Sequence, residues 1–250
     1  MKLTIPAAGL AWLATAQLGP ARATDMPSNL SVEGEYTTVS MFLDDRILES
    51  RQLVDDCKQE TRDWAKALEA DEKAKLNAAP GEVAQFGRRY DVSSIVGIRR
   101  YFSIVRHSGA DIDGVYNWID TDTLLWDNKA NKRITPALFF GEIADGGPTM
   151  TALRADVVDG LTKKIAKYKS DVLALEPSLT GIGPASLAPS TIPGKSSGLK
   201  FHYALPVPGR FARTNVVIFV PWTKFWRYLS PRGRAVFGGS RRERDDWLDG

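Results

Sequence analysis

Between residues 84 and 126 three runs dense in Phe, Tyr, Trp, Ile and Val follow one another, at 84–92, 97–107 and 114–126. Aromatic and β-branched side chains suit a pleated, half-buried surface. The Ser-Gly and Asp-Gly pairs between the second and third runs supply turn chemistry. In the second run Ile98, Phe102 and Ile104 are read on one face, and Arg99, Tyr101 and Ser103 on the other. A chain with this block at its centre has to build antiparallel hairpins, and the apolar face they create needs a cover.

Two amphipathic segments offer that cover. After a short strand at 34–41, Ile47, Val54, Cys57, Trp64 and Leu68 recur at helical spacing with charges between them. Asp44 and Asp45 fall in the first turn of this predicted helix, where the dipole favours anions, and Pro80-Gly81 closes the connection that follows. A second helix is predicted after Gly146-Gly147-Pro148, with Leu153, Val157, Leu161, Ile165 and Tyr168 as its stripe. Between them, residues 127–132 read as a polar hairpin loop, and Ile134 to Phe140 begins a short apolar element. Residues 176–198, rich in Pro, Ser and Gly, read as an irregular excursion. Strands are predicted at 199–205 and 214–221, then a short Trp-rich helix at 222–229 and a polar tail. The expectation is a single α+β domain: a curved antiparallel sheet with two main helices packed on one face.

The first residues read as an export signal. Lys2 gives a positive n-region, an apolar stretch runs from Ile5 to Leu18, and Ala21-Arg22-Ala23 presents a small-residue cleavage pattern. The stretch is well short of the ~20 apolar residues a membrane span needs. The expected organisation is a signal peptide at 1–23 cleaved after Ala23, an N-terminal extension at 24–33, the domain at 34–238 and a charged tail at 239–250. The expected location is periplasmic or secreted, with no membrane span after cleavage. Loss of Lys2 and Arg22 lowers the formal charge from +3 to +1, too balanced to call for a nucleic-acid partner. The charge is unevenly spread: residues 44–82 carry 11 acids and 7 bases, whereas 200–250 carry 10 bases and 4 acids. That basic end suits an anionic envelope polymer, although a solvated Arg-rich tail explains it equally. The single cysteine, Cys57, excludes an internal disulfide framework and is read on the apolar face of its helix.

No recognisable catalytic motif emerges. Gly194-Lys195-Ser196 resembles the end of a phosphate-binding loop, but Pro189 stands where that motif needs its first glycine. Asp111-Ile112-Asp113-Gly114 imitates part of a calcium loop, yet Gly109 occupies the first ligand position. Asp111, Asp113, Asp120 and Asp122 offer carboxylates of the kind a glycosidase pairs, at spacings that do not establish the required separation. His107 and His202 stand alone, outside any zinc pattern, and no serine lies in a G-x-S-x-G elbow. Neither a cofactor nor a metal is expected. Aromatic density is the positive signal: Tyr116, Trp118 and Trp126 fall in one strand, and Trp222, Phe225, Trp226 and Tyr228 in one short element. Such rings stack on sugars and anchor interfaces, and they also fill cores.

The order of segments carries a family resemblance. Tyr101-Phe102-Ser103-Ile104-Val105 precedes Ser108-Gly109-Ala110-Asp111; then come Asp122-Thr123-Leu124-Leu125-Trp126-Asp127, the loop 128–132 and Ala137-Leu138-Phe139. After a helix, Phe201-His202-Tyr203-Ala204-Leu205 leads to Val216-Val217-Ile218-Phe219-Val220-Pro221-Trp222. This order resembles the extracytoplasmic domain family shared by RsiV-type, lysozyme-responsive anti-sigma factors and PdaC-type peptidoglycan deacetylases, over residues 34–238. The turn at 108–111 lacks the second glycine and the histidine of that family's Gly-Gly-Ala-His turn. The resemblance implies an accessory domain alone, with an α+β fold and a binding role.

Two functions follow as expectations. The first is an exported, non-catalytic binding or sensing module of the cell envelope, recognising a lysozyme-class hydrolase or peptidoglycan through Tyr116, Trp118, Asp120, Asp122, His107 and Tyr203. The alternative is an envelope hydrolase or deacetylase-related enzyme using Asp residues of the 111–122 segment, with His107 beside them.

Overall fold

The computed structural model describes residues 28–76, 83–112, 115–144, 146–165, 185–206 and 213–243. The predicted signal segment, Pro80-Gly81 and the end of the charged tail lie outside the described residues.

The first helical segment is two helices. Asp44 caps α1 (Asp45–Leu48), its carboxylate accepting from the Arg46 N–H. The chain breaks at Glu49 and Ser50, then continues as α2 (Arg51–Leu76). Leu53, Cys57, Thr61 and Ala65 recur every fourth residue along α2 and are all buried; Val54, Trp64 and Leu68 flank that stripe, half-buried. The far part of α2 is tied down by Glu69, whose carboxylate accepts from the N–H groups of Glu35 (2.8 Å) and Tyr36 (3.0 Å) and from the Thr37 hydroxyl (2.7 Å).

The helix lies across a six-stranded sheet. Its strands are β1 (Leu30–Glu33), β2 (Thr37–Leu43), β3 (Ala84–Val96), β4 (Tyr101–Ile112), β5 (Val115–Asp127) and β6 (Lys132–Ile134), paired in that order. All neighbours are antiparallel except β2 and β3. These two are separated by α2, and a helical crossover is what lets consecutive strands run parallel. β1 falls inside the segment expected to be an extension. Along β4 the pleat sorts side chains as predicted from Tyr101 onward: Phe102 and Ile104 join Met41, Leu53, Cys57 and Tyr90 under α2, while Tyr101 enters a second core. Ile98 and Arg99, predicted on that strand, belong instead to the β3–β4 turn. Gly97, Ile98 and Arg99 all have positive φ (64°, 54° and 60°), and Ile98 is 96% exposed.

The second core is built on a second sheet, of β7 (Ala185–Pro189), β8 (Ser196–Pro206) and β9 (Arg213–Pro221), all antiparallel. β7 lies inside the stretch predicted to be irregular. Its sequence, Ala-Ser-Leu-Ala-Pro, has little intrinsic strand preference. Side-chain hydroxyls of the first sheet hold it in place. The Leu187 N–H donates to Ser103 Oγ (2.8 Å), the Leu187 carbonyl accepts from Ser94 (2.8 Å) and Ser93 (3.0 Å), and the Ala185 carbonyl accepts from Thr123 (3.0 Å). β7 therefore meets the first sheet edge-on, and its outer backbone groups, which would otherwise be buried without partners, are satisfied.

α3 (Pro148–Ile165) covers the Val216–Ile218–Val220 face of β9 with Leu153, Val157 and Leu161. Gly160 lets it approach closely, since a Cβ there would sit 2.7 Å from Ile218 Cγ2. Two short helices, α4 (Trp222–Phe225) and α5 (Pro231–Val236), close the same core with Phe225 and Val236. The expected α+β class with a curved, antiparallel-dominated sheet is what the chain adopts. The two main helices each cover a different sheet: the second sheet presents its own apolar face, and α3 is the element that buries it.

Candidate functional site

The residues singled out from the sequence distribute over three environments. On the α2 side of the first sheet, Arg106 of β4 stands opposite Asp122 of β5 and pairs with both Asp122 and Glu60. Glu60 also accepts from Arg133 (2.8 Å), which reaches Asp56 (2.7 Å). Burial alone would raise the Glu60 pKa; hydrogen bonds from Arg133 and Arg106 outweigh it and hold the carboxyl down at about 2. Asp122 is thus one corner of an ion network that fastens α2 to the sheet, with its Oδ1 buried and without a hydrogen bond among the described residues. Asp120 lies two residues earlier in β5, on the same face and exposed, at the register position of Ser108.

His107 faces the other way. Its Nδ1 lies 3.0 Å from Thr121 Oγ1 and its Nε2 lies 3.8 Å from Asp91. Burial pushes its pKa down, partly offset by Asp91. Backbone register sets Trp118 opposite Gly109 and Tyr116 opposite Asp111, and the side chains of both fall outside the described residues. Tyr203 is elsewhere, in the second core on β8, with its hydroxyl buried and its pKa raised by that burial. The fold therefore brings His107, Asp120 and Asp122 to neighbouring ladder positions but divides them between two faces, and it puts Tyr203 in a different layer.

A buried polar pair lies on the opposite face of β8, where His202, which stands alone in the sequence, finds a partner. Ser186 and His202 are 2.9 Å apart through Oγ and Nε2. Burial pushes the His202 pKa down to about 3, with the Lys200 charge adding to it, so the ring is neutral in ordinary buffers. Its Nδ1 has no hydrogen-bond partner among the described residues. The pair joins β7 to β8 from within the fold.

A cleft with a basic lining lies where the two sheets meet beyond β7. It encloses about 420 Å³ and is lined by Arg46, Ser94, Pro189, Ile192, Lys195 and Arg242, among others, and none of its described lining residues carries a carboxylate. Arg46 is neutralised by Asp44 through a two-point contact of 2.9 and 2.6 Å. Arg242 spends Nε on the Ser190 carbonyl (2.9 Å), and Lys195 donates to the Ala235 carbonyl. Neither makes an ion pair among the described residues. Two cations thus remain to attract an anion in a partly enclosed hollow, where fields are less screened than at an open surface. The sequence signals for it were the Gly194-Lys195 pair, which fails as a phosphate loop, and the Arg-rich end, whose solvated reading places Arg242 in a tail.

No family model matches this sequence, and no curated protein matches it significantly. Among solved structures it is similar to two members of the DUF3298 family. One, from Bacteroides fragilis, is 13% identical with a TM-score of 0.44, the match covering 80% of this chain and 87% of that one. The other, from Pseudomonas aeruginosa, is 14% identical with a TM-score of 0.48, covering 86% of this chain and 99% of that one.

Proposed function

We propose that the protein is an exported, non-catalytic recognition module of the cell envelope that captures an anionic polymer, peptidoglycan, rather than transforming it. The observation that carries this reading is the cleft holding Lys195 and Arg242, whose described lining residues include no carboxylate. Peptidoglycan bears carboxylates along its length, so the charge is complementary. A lysozyme-class partner, itself basic, would meet like charge at this cleft. The predicted export signal at 1–23 and the resemblance of the segment order to the RsiV- and PdaC-type extracytoplasmic domains support the same compartment and a binding role. Asp122 is already engaged by Arg106, which weighs against the hydrolase reading.

Co-sedimentation with purified sacculi tests the proposal. Retention is expected at low salt, weakening as salt rises and in the double variant Lys195→Gln/Arg242→Gln. Absence from the sacculus pellet, or retention that ignores both salt and the double variant, overturns it. Retention by immobilised lysozyme in place of sacculi would transfer the role to a protein partner.

A further inference from the structure

The Pro193-Gly194 loop has a second hollow on its far side, of about 390 Å³, lined by Ile98, Pro193, Ala235 and Val236 with Lys195 and Arg232 at its rim. This lies within the roughly 300–1,000 Å³ typical of small-ligand sites. Again no described lining residue carries a carboxylate. Two nearby arginines are already neutralised: Arg99 pairs with Glu49, and Arg100 pairs with Asp127 at 2.8 Å. Arg232 is exposed and makes no ion pair among the described residues. The charge at this hollow therefore comes from Arg232 and Lys195, set against aliphatic walls.

The wall on the β3–β4 side is unusual. Ile98 holds a left-handed backbone conformation, which is strained for a β-branched residue, and its side chain is almost wholly in solvent. The turn is pinned by the Gly97 N–H, which donates to the Gly194 carbonyl (2.8 Å), so the ridge and the loop form one rigid rim. Strain retained at an exposed apolar residue, with no folding gain from its burial, is the mark of a contact made with something else. The hollow offers no ring to a sugar, because its aromatic lining residue, Tyr101, is 2% exposed; glycan recognition relies on exposed aromatic faces.

We infer that this hollow binds a short peptide ending in a free carboxylate, with Arg232 and Lys195 holding the carboxylate and Ile98 and Pro193 packing on its small apolar side chains. The inference rests on the envelope-polymer reading above and assigns the peptide stems of that polymer, not its sugars, to this cleft. The same salt-sensitive capture then has a defined chemical end group as its target.

The experiment is a calorimetric or NMR titration of the purified protein with diacetyl-Lys-D-Ala-D-Ala and, separately, with its C-terminal amide. Saturable binding of the free acid is expected, at least tenfold weaker for the amide and severalfold weaker for Arg232→Gln and for Ile98→Asn. Both substitutions are at exposed positions, and a circular dichroism melt confirms that each variant is folded. No binding of the free acid, equal binding of acid and amide, or an unchanged Arg232→Gln overturns the inference. Sacculus retention separates the two readings. Sacculi held while the peptide is ignored removes this assignment alone; the peptide bound while sacculi are ignored removes the envelope-polymer reading and leaves a carboxylate site.

Discussion

The attachment of β7 to the first sheet makes a graded prediction from a single residue's backbone. Leu187 is fully buried; its N–H has one acceptor, Ser103 Oγ, whereas its carbonyl has two donors, Ser93 and Ser94. Ser103→Ala leaves a buried N–H with nothing to bond, and an orphaned donor costs about 1–3 kcal/mol. Ser94→Ala removes one of two donors to the carbonyl, so the loss should stay below about 1 kcal/mol, the net worth of an ordinary hydrogen bond. For a chain of this size about 1 kcal/mol corresponds to roughly 2–4 °C in Tm. Ser103→Ala should therefore lower Tm by about 4–8 °C if its cost is near 2 kcal/mol, and Ser94→Ala by less than about 4 °C. The Ser93→Ala/Ser94→Ala pair should cost more than the two singles added together, because each hydroxyl covers for the other. Urea midpoints and thermal melts on Ser103→Ala, Ser94→Ala, Ser93→Ala and the pair, four variants in all, provide the check. If Ser103→Ala falls within about 0.5 kcal/mol of wild type, or Ser94→Ala costs as much as Ser103→Ala, the hydroxyls do not carry the strand and the edge-on account is wrong.

Three further outcomes follow from the ion network, the buried histidine and the strained turn. The folded Glu60 carboxyl titrates at about 2, below its ordinary value, so its contribution is present above about pH 5 and is lost as pH falls toward about 2; Glu60→Gln should flatten acid unfolding over that window, by up to about 3 kcal/mol. His202 is also depressed, to about 3, so unfolding takes up a proton as pH falls below about 6.5; stability should decline with a slope of up to about 1.4 kcal/mol per pH unit between pH 6 and pH 4, and His202→Gln should lack that slope in urea titrations. Ile98→Asn should raise stability by about 0.5–1 kcal/mol, because a left-handed conformation costs an L-residue about 1–2 kcal/mol, asparagine tolerates it better, and the isoleucine buries nothing to lose; a lower Tm in the variant would contradict this.

Periodicity was the legible part of the fold. Leu153, Val157 and Leu161, and the alternation of Tyr101, Phe102, Ser103 and Ile104, announced their elements because burial itself set their spacing. The break at Glu49 and Ser50 was hidden because Ile47 keeps helical phase with the stripe beyond it. β7 was hidden for a different reason: its strand character lies in Ser93, Ser94, Ser103 and Thr123, roughly 60–90 positions away in the chain. α5 carried a local signal that the basic composition masked, with Ser230 as its cap and Pro231 in its first turn. The partner of Asp122 was not legible, because a carboxylate in a strand reads the same whether it meets a ligand or an arginine from the adjacent strand. Beyond the Gly194-Lys195 pair and the Arg-rich end, the basic clefts were not legible, because Arg46, Lys195, Arg232 and Arg242 converge only once both sheets are formed.

Cys57 gives the molecule a built-in stopwatch. The lone thiol is sealed beneath α2 and burial pushes its pKa up to about 12, so a sulfhydryl reagent can reach it only while that layer is lifted away. In a compartment that oxidises exposed thiols, the same enclosure keeps two copies of the chain from becoming cross-linked. The pace at which a chromogenic disulfide reacts with the intact protein thus times the opening of the helix, with no label added and no residue changed.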